Sequence, residues 1–139
     1  MSGIRLNQVT LAAKDMSASV SFYQKLGLTL IVDSVPRYVR FEFPAPPDGG
    51  QPATISLHIA PENWQAQDHA PLVYFEIDDL DGYITEHELV PETPPENKSY
   101  LWREADIIDP AGNRIRLFQA GRTAAFRLGE LILRQCSHV

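Results

Sequence analysis

Gln8-Val9-Thr10-Leu11-Ala12-Ala13-Lys14-Asp15-Met16 decides the fold, because Leu72-Val73-Tyr74-Phe75-Glu76-Ile77-Asp78-Asp79-Leu80 restates it. Each stretch alternates, then reaches an Asp followed by a large apolar residue. In the first, Val9, Leu11 and Ala13 fall on one face and Gln8, Thr10 and Ala12 on the other, as a half-buried strand requires. Asp15 is placed to cap a helix, in which Met16, Val20, Tyr23 and Leu26 recur at helical spacing until Gly27 ends the run. Each half closes on another strand of the same style, Thr54-Ile55-Ser56-Leu57-His58-Ile59 and Arg114-Ile115-Arg116-Leu117-Phe118-Gln119.

Working outward, residues 28–32 and 37–43 read as strands, and the Pro- and Gly-rich segment 44–52 as the turn that follows them. The polar segment from Pro61 to Pro71 reads as a linker between halves. In the second half, strand 72–77 leads into a short helix opening near Asp78 or Asp79 and carrying Leu80, Tyr83 and Ile84. Residues 91–98 hold three prolines and read as irregular. Strand 100–108, a tight turn over Asp109-Pro110-Ala111-Gly112-Asn113 and strand 114–119 complete the copy. Beyond Gly121, Ala125, Leu128, Leu131 and Ile132 suggest a helix that Gly129 weakens, with a disordered tail as the alternative. The order is β-α-β-β-β twice, the second copy reading one strand short. It predicts an α+β fold of two tandem modules, residues 4–60 and 71–120, with a tail at 121–139, within one domain of 1–139. The modules would form a cupped, half-open mixed sheet with helices on its outer face.

The chain has 139 residues, a net charge of −6 and a single cysteine, Cys136. The acidity argues against a nucleic-acid partner, since phosphate binding needs a basic surface. A lone cysteine forms no internal disulfide. No run approaches the ~18 apolar residues of a membrane span, and residues 1–8 lack the apolar core of a signal peptide. A cytoplasmic protein without membrane contact is expected.

Three segments carry a resemblance. Val9-Thr10-Leu11-Ala12-Ala13-Lys14-Asp15-Met16, Ser21-Phe22-Tyr23-Gln24-Lys25-Leu26-Gly27-Leu28 and Asp109-Pro110-Ala111-Gly112-Asn113-Arg114-Ile115 resemble the vicinal oxygen chelate superfamily, which includes glyoxalase I, bleomycin-resistance proteins and extradiol dioxygenases. The likeness covers about residues 4–120 and leaves out the tail. It implies paired modules whose sheets hold the active site, and a homodimer. It also implies metal ligands at four inward strand positions, two per module. Here those positions hold Gln8 and its repeat mate Leu72, and Ser56 and its mate Arg116. Leu72 has no lone pair, Arg116 is a permanent cation, and Gln8 and Ser56 are weak neutral donors. No resident metal and no other cofactor is therefore expected.

Alternation places Gln8, Thr10, Arg40, Ser56, His58, Tyr74, Glu76, Arg116 and Phe118 on the inward faces, a candidate ligand-binding set. Arg116 needs a partner if buried. Glu76 is one choice and a ligand carboxylate or phosphate the other. Tyr74 and Phe118 offer aromatic surface, and Trp64 and Trp102 edge the pocket or serve as core. His58 either hydrogen-bonds within a polar cavity or joins Glu76 in a displaced metal site. No nucleophile with its base is identifiable, so no catalytic residue is assigned. The reading is a metal-free small-molecule-binding protein. The alternatives are a metal-dependent lyase, isomerase or dioxygenase built around His58 and Glu76, and metal-free acid–base catalysis by either residue.

Overall fold

The computed structural model describes residues 3–121, and the expected tail helix and Cys136 lie outside the described residues. The chain divides into two units. One runs to Ala70 and includes Asp109–Asn113; the other comprises Pro71–Ile108 and the chain from Arg114.

The first unit contains β1 (Gln8–Ala13), α1 (Met16–Lys25), β2 (Thr29–Ser34), β3 (Tyr38–Glu42) and β4 (Thr54–Ile59). Its sheet runs β1-β4-β3-β2, with β1 and β4 parallel and the other pairs antiparallel. The parallel pair exists because a helix and two strands lie between its members, the long crossover that parallel strands need. Register sets Val9 beside Ile55 and Leu11 beside Leu57, while Phe41 meets Ile55 and Val39 meets Leu57. These apolar side chains share one face. Ala13, Val39, Phe41, Ile55 and Leu57 are buried there with Met16, Tyr23 and Leu26 of the helix and its cap. Burying each of the larger side chains contributes about 1.5–3 kcal/mol.

The ends of α1 follow from single residues. Asp15 accepts from the Ala18 amide at 3.1 Å. At the other end Gly27 adopts φ 97°, its N–H bonds to Gln24 O, and the Leu28 N–H bonds to Tyr23 O. These two bonds satisfy carbonyls that would otherwise lack donors, and the left-handed residue between them favours glycine.

The second unit repeats the plan with β5 (Val73–Glu76), α2 (Leu80–Glu86), β6 (Glu96–Asn97), β7 (Arg103–Ile108) and β8 (Arg114–Gln119), in sheet order β5-β8-β7-β6. Phe75, Ala105, Ile107, Ile115 and Leu117 are buried with Leu80 of α2. Asp79 caps α2 through the Gly82 amide, and Gln119 Oε1 accepts from the Leu80 amide at 2.8 Å. The C-terminal turn of α1 recurs, with Glu88 N–H on Thr85 O and Leu89 N–H on Ile84 O. Here the left-handed position is Glu88, at φ 52°.

Both copies thus have four strands, which corrects the expectation of one fewer in the second. Residues 91–98 read as irregular because of their prolines, yet Glu96 pairs with Glu104 and Asn97 with Arg103. Pro94 and Pro95 precede the paired residues, and β6 is an edge strand, so their missing N–H groups remove no ladder bond. The following strand starts at Arg103 rather than 100. Residues 98–101 form a turn instead, with the Leu101 N–H on Lys98 O and the Lys98 N–H on Trp102 O. Among the described residues, no helix is long and apolar enough to cross a membrane.

Candidate functional site

The face of each sheet opposite its helix carries the polar residues. In the first unit, register sets Thr10 beside Ser56, Ala12 beside His58, and Arg40 and Tyr38 beside Ser56 and His58. Gln8 Nε2 donates to Ser56 Oγ at 3.0 Å and lies 3.4 Å from Thr10 Oγ1 and 3.5 Å from the Tyr38 hydroxyl. Thr10 and Ser56 hydroxyls lie 2.6 Å apart. Ser56 is fully buried despite facing away from the helix. It is covered by this web of neutral groups, whose donors and acceptors satisfy one another.

Arg40 reaches two neutral oxygens, Thr54 Oγ1 at 3.2 Å and Asn7 Oδ1 at 3.0 Å. His58 shares the face, but the polar cavity expected around it from the sequence is not seen among the described residues. It is exposed, with Nδ1 2.9 Å from the Ile59 carbonyl and its ring edge-on to Tyr38. It stands near the end of β4, where less of the sheet surrounds it than surrounds Ser56.

The second unit is the more highly charged. Tyr74 lies beside Arg116, Glu76 and Glu104 beside Phe118, and Asp106 beside Arg116. Arg116 places Nε and Nη2 on the two oxygens of Asp106 at 2.8 and 3.0 Å, the bidentate geometry of a guanidinium on a carboxylate. Its Nη1 donates to the Tyr74 hydroxyl at 3.3 Å, and its centre lies 5.6 Å from the Tyr74 ring centroid. Arg114 also donates to Asp106, at 2.9 Å, and to Glu92. The hydrogen bond from Arg116, with Arg114 beside it, holds the Asp106 carboxyl below its usual range, and the same bond raises Arg116 further.

Asp106 therefore corrects the expected partnership of Arg116 with Glu76, which is exposed at the end of β5. Alternation carries the missed signal. Ala105 and Ile107 are apolar, so Glu104 and Asp106 must point to the face that Arg116 occupies.

Aromatic side chains cover the other end of this face. Trp102 stacks on Phe118 at 4.2 Å and 18°, while Tyr74 and Tyr100 meet the Trp102 ring edge-on. Tyr100 donates to Glu104 Oε2 at 2.7 Å, and burial, then Glu104, raises the Tyr100 phenol above its ordinary value. It stays protonated and keeps donating. Glu104, like Asp106, is a site residue that the sequence reading did not single out. Trp102 belongs to this cluster, whereas Trp64 lies in the segment after β4 with its N–H on Pro61 O.

The four positions at which the resemblance expects metal ligands do not fit a divalent ion. Ser56 and Gln8 are engaged with each other, and Arg116 puts a guanidinium, already locked on Asp106, where a lone pair is needed. Leu72 lies just outside β5 and offers no donor. Among the described residues, no three His, Cys, Asp or Glu side chains converge as a metal-binding group.

Comparison with curated proteins finds no match. Solved structures do match. A glyoxalase/bleomycin resistance protein/dioxygenase from Nocardioides is 20% identical with TM-score 0.64, over 89% of this chain and 88% of that one. A lactoylglutathione lyase from Agrobacterium tumefaciens is 19% identical with TM-score 0.62, over 83% and 92%. A bleomycin-binding protein complexed with bleomycin is 16% identical with TM-score 0.62, over 84% and 98%. At these identities the likeness is one of fold. The family model for the Glyoxalase/Bleomycin resistance protein/Dioxygenase superfamily matches residues 5–117. That span runs from before β1 into β8, and the chain belongs to this superfamily.

Proposed function

We propose that the protein is a small-molecule-binding member of the superfamily that works without a resident metal. The observation that carries this reading is Arg116, which stands at a ligand position of the metal-dependent members and is bonded to Asp106 through two donors. A cation held there by a carboxylate is a poor neighbour for a second, divalent cation. The candidate binding residues are Gln8, Arg40, Ser56 and His58 in the first unit, and Tyr74, Glu76, Arg116 and Phe118 in the second. As in small members of the family, the working form is proposed to be a homodimer in the cytoplasm, with no nucleic-acid or membrane partner. One structural neighbour holds bleomycin, but a likeness of 16% identity does not carry that ligand across.

Elemental analysis of protein purified without chelators tests the reading. Substoichiometric zinc, iron, nickel and manganese are expected. Stoichiometric metal that disappears in His58→Ala would instead establish the metal-dependent lyase, isomerase or dioxygenase with displaced ligands at His58 and Glu76.

A further inference from the structure

Three arginines of the second unit are neutralised within the chain. Arg103 bonds to the carboxylate of Asp81, Arg114 to those of Glu92 and Asp106, and Arg116 to that of Asp106. Arg40, half-buried on β3 in the first unit, bonds only to neutral oxygens, Thr54 Oγ1 at 3.2 Å and Asn7 Oδ1 at 3.0 Å. Among the described residues it forms no ion pair. A guanidinium drawn partly out of water with no counter-charge is under-compensated.

The two bonds that Arg40 makes decide what remains of it. Nε and Nη2 form one edge of the planar guanidinium, and that edge is fixed on Thr54 and Asn7. Thr54 is itself anchored, being 7% exposed and donating from Oγ1 to the Asn7 carbonyl at 3.0 Å. The Nη1–Nη2 edge still presents parallel N–H groups, and Nη1 has no partner among the described residues. Arg40 is thus oriented by neutral groups while its charge and its second fork are unspent. An arginine held in this way is preorganised for a carboxylate from outside the chain.

Register places Ser56 and Val32 beside Arg40, and Tyr38 and Glu42 share its face along the strand. Val32 is 38% exposed and gives a carbon skeleton an apolar neighbour. Glu42 is the one carboxylate that pairing puts on this face, and it makes no ion pair among the described residues. One guanidinium with one acid on its strand suits a monoanion and disfavours a dianion.

We propose that the polar face of the first unit binds a small organic carboxylate, with the Nη1–Nη2 edge of Arg40 donating to its two oxygens and its carbon skeleton beside Val32. The proposal rests on the small-molecule-binding reading and supplies its ligand class. Recognition is non-covalent, and no proton need move.

The test uses 3-phenylpropionate, its neutral isostere 3-phenylpropanamide, and inorganic phosphate. Each is titrated into the full-length, ¹⁵N-labelled protein after chelator treatment, and the Arg40 side-chain Nε–H and Val32 amide resonances are followed. The carboxylate is expected to bind at least about tenfold more tightly than either other probe. Arg40→Gln, checked for native spectral dispersion, should bring the carboxylate down to the affinity of the amide. Should Arg40→Gln fail to fold, Glu42→Gln leaves Arg40 in place and should tighten the carboxylate about twofold. Amide or phosphate binding as tight as the carboxylate overturns the proposal, as does a preference that survives Arg40→Gln. Carboxylate shifts at Arg116 that leave Arg40 and Val32 unmoved overturn it too, as does an unchanged affinity in Glu42→Gln where that variant is the one used. Metal found in the purified protein would overturn the metal-free reading without altering this comparison, so the two failures are distinguishable.

Discussion

The Tyr23 hydroxyl donates to Asp109 Oδ2 at 2.7 Å, a buried bond between residues 86 positions apart in sequence. It ties the last turn of α1 to the Asp109–Asn113 turn. The same carboxylate accepts from the Ala111 amide, the Asn113 amide and the Asn113 side chain at 2.8–2.9 Å. Asn113 Nδ2 also reaches the Ala12 carbonyl in β1 at 2.8 Å. Burial, then Asp109, raises the Tyr23 phenol, which keeps it a donor. Two of the segments that carry the family resemblance therefore meet at one bond, and the Asp109–Asn113 turn belongs with the first unit because of such contacts.

Removing that bond should destabilise the fold without altering its outline. Tyr23→Phe is expected to lower stability by about 1–3 kcal/mol, the range for a hydrogen bond to a charged acceptor. Asp109→Asn should cost more, because one substitution replaces an acceptor of four bonds with a group that is half donor. Urea denaturation of both variants checks the order.

The Arg116–Asp106 pair should show in the acid limb of stability. The Asp106 carboxyl is held low in the folded protein by Arg116 and Arg114. Its contribution is therefore complete above the unfolded value of about 3.9 and is lost as pH falls through the lower folded value. Asp106→Asn is expected to cost about 2 kcal/mol near neutrality, between the ranges for exposed and buried pairs. The gap between wild type and variant should narrow below about pH 4, measured by urea denaturation across pH. A constant gap at every pH would mean that the charge contributes nothing.

The second helix can be improved where the repeats differ. Glu88 occupies the left-handed turn position that Gly27 holds in the first copy. A side chain there costs about 1–2 kcal/mol, so Glu88→Gly should stabilise by about 1 kcal/mol after the loss of its other contacts. Thermal melts of the two proteins give the answer.

His58 and Ser56 separate exposure from burial on a single strand. His58→Ala is expected to change stability by less than about 0.5 kcal/mol, as at most surface sites. Ser56→Ala should cost about 1–2 kcal/mol, because it leaves Thr10 and Gln8 short of a partner. Equal effects would show that the Gln8–Thr10–Ser56 web is loosely held.

Much of this architecture is legible in the sequence because period-2 alternation is a local property. β4 and β8 begin and end where the alternation of 54–59 and 114–119 places them. Gly27 and Asp15 announce the limits of α1 through their own backbone and side-chain chemistry. β6 was not legible, since two residues paired at an edge leave no periodic trace and the neighbouring prolines argue against a strand.

The sequence by itself determined the repeat, with the first β-α-β-β-β copy entire and the second lacking only β6, the faces of its longer strands and the poverty of metal ligands among Gln8, Ser56, Leu72 and Arg116. Only the tertiary structure decided which polar groups meet: Arg116 with Asp106 rather than Glu76, Tyr23 with Asp109, and Tyr100 with Glu104. Alternation states which way a side chain points, because it depends on backbone geometry within one strand. Partnership depends on inter-strand register and on where turns return the chain, and those are set by contacts between residues far apart in sequence.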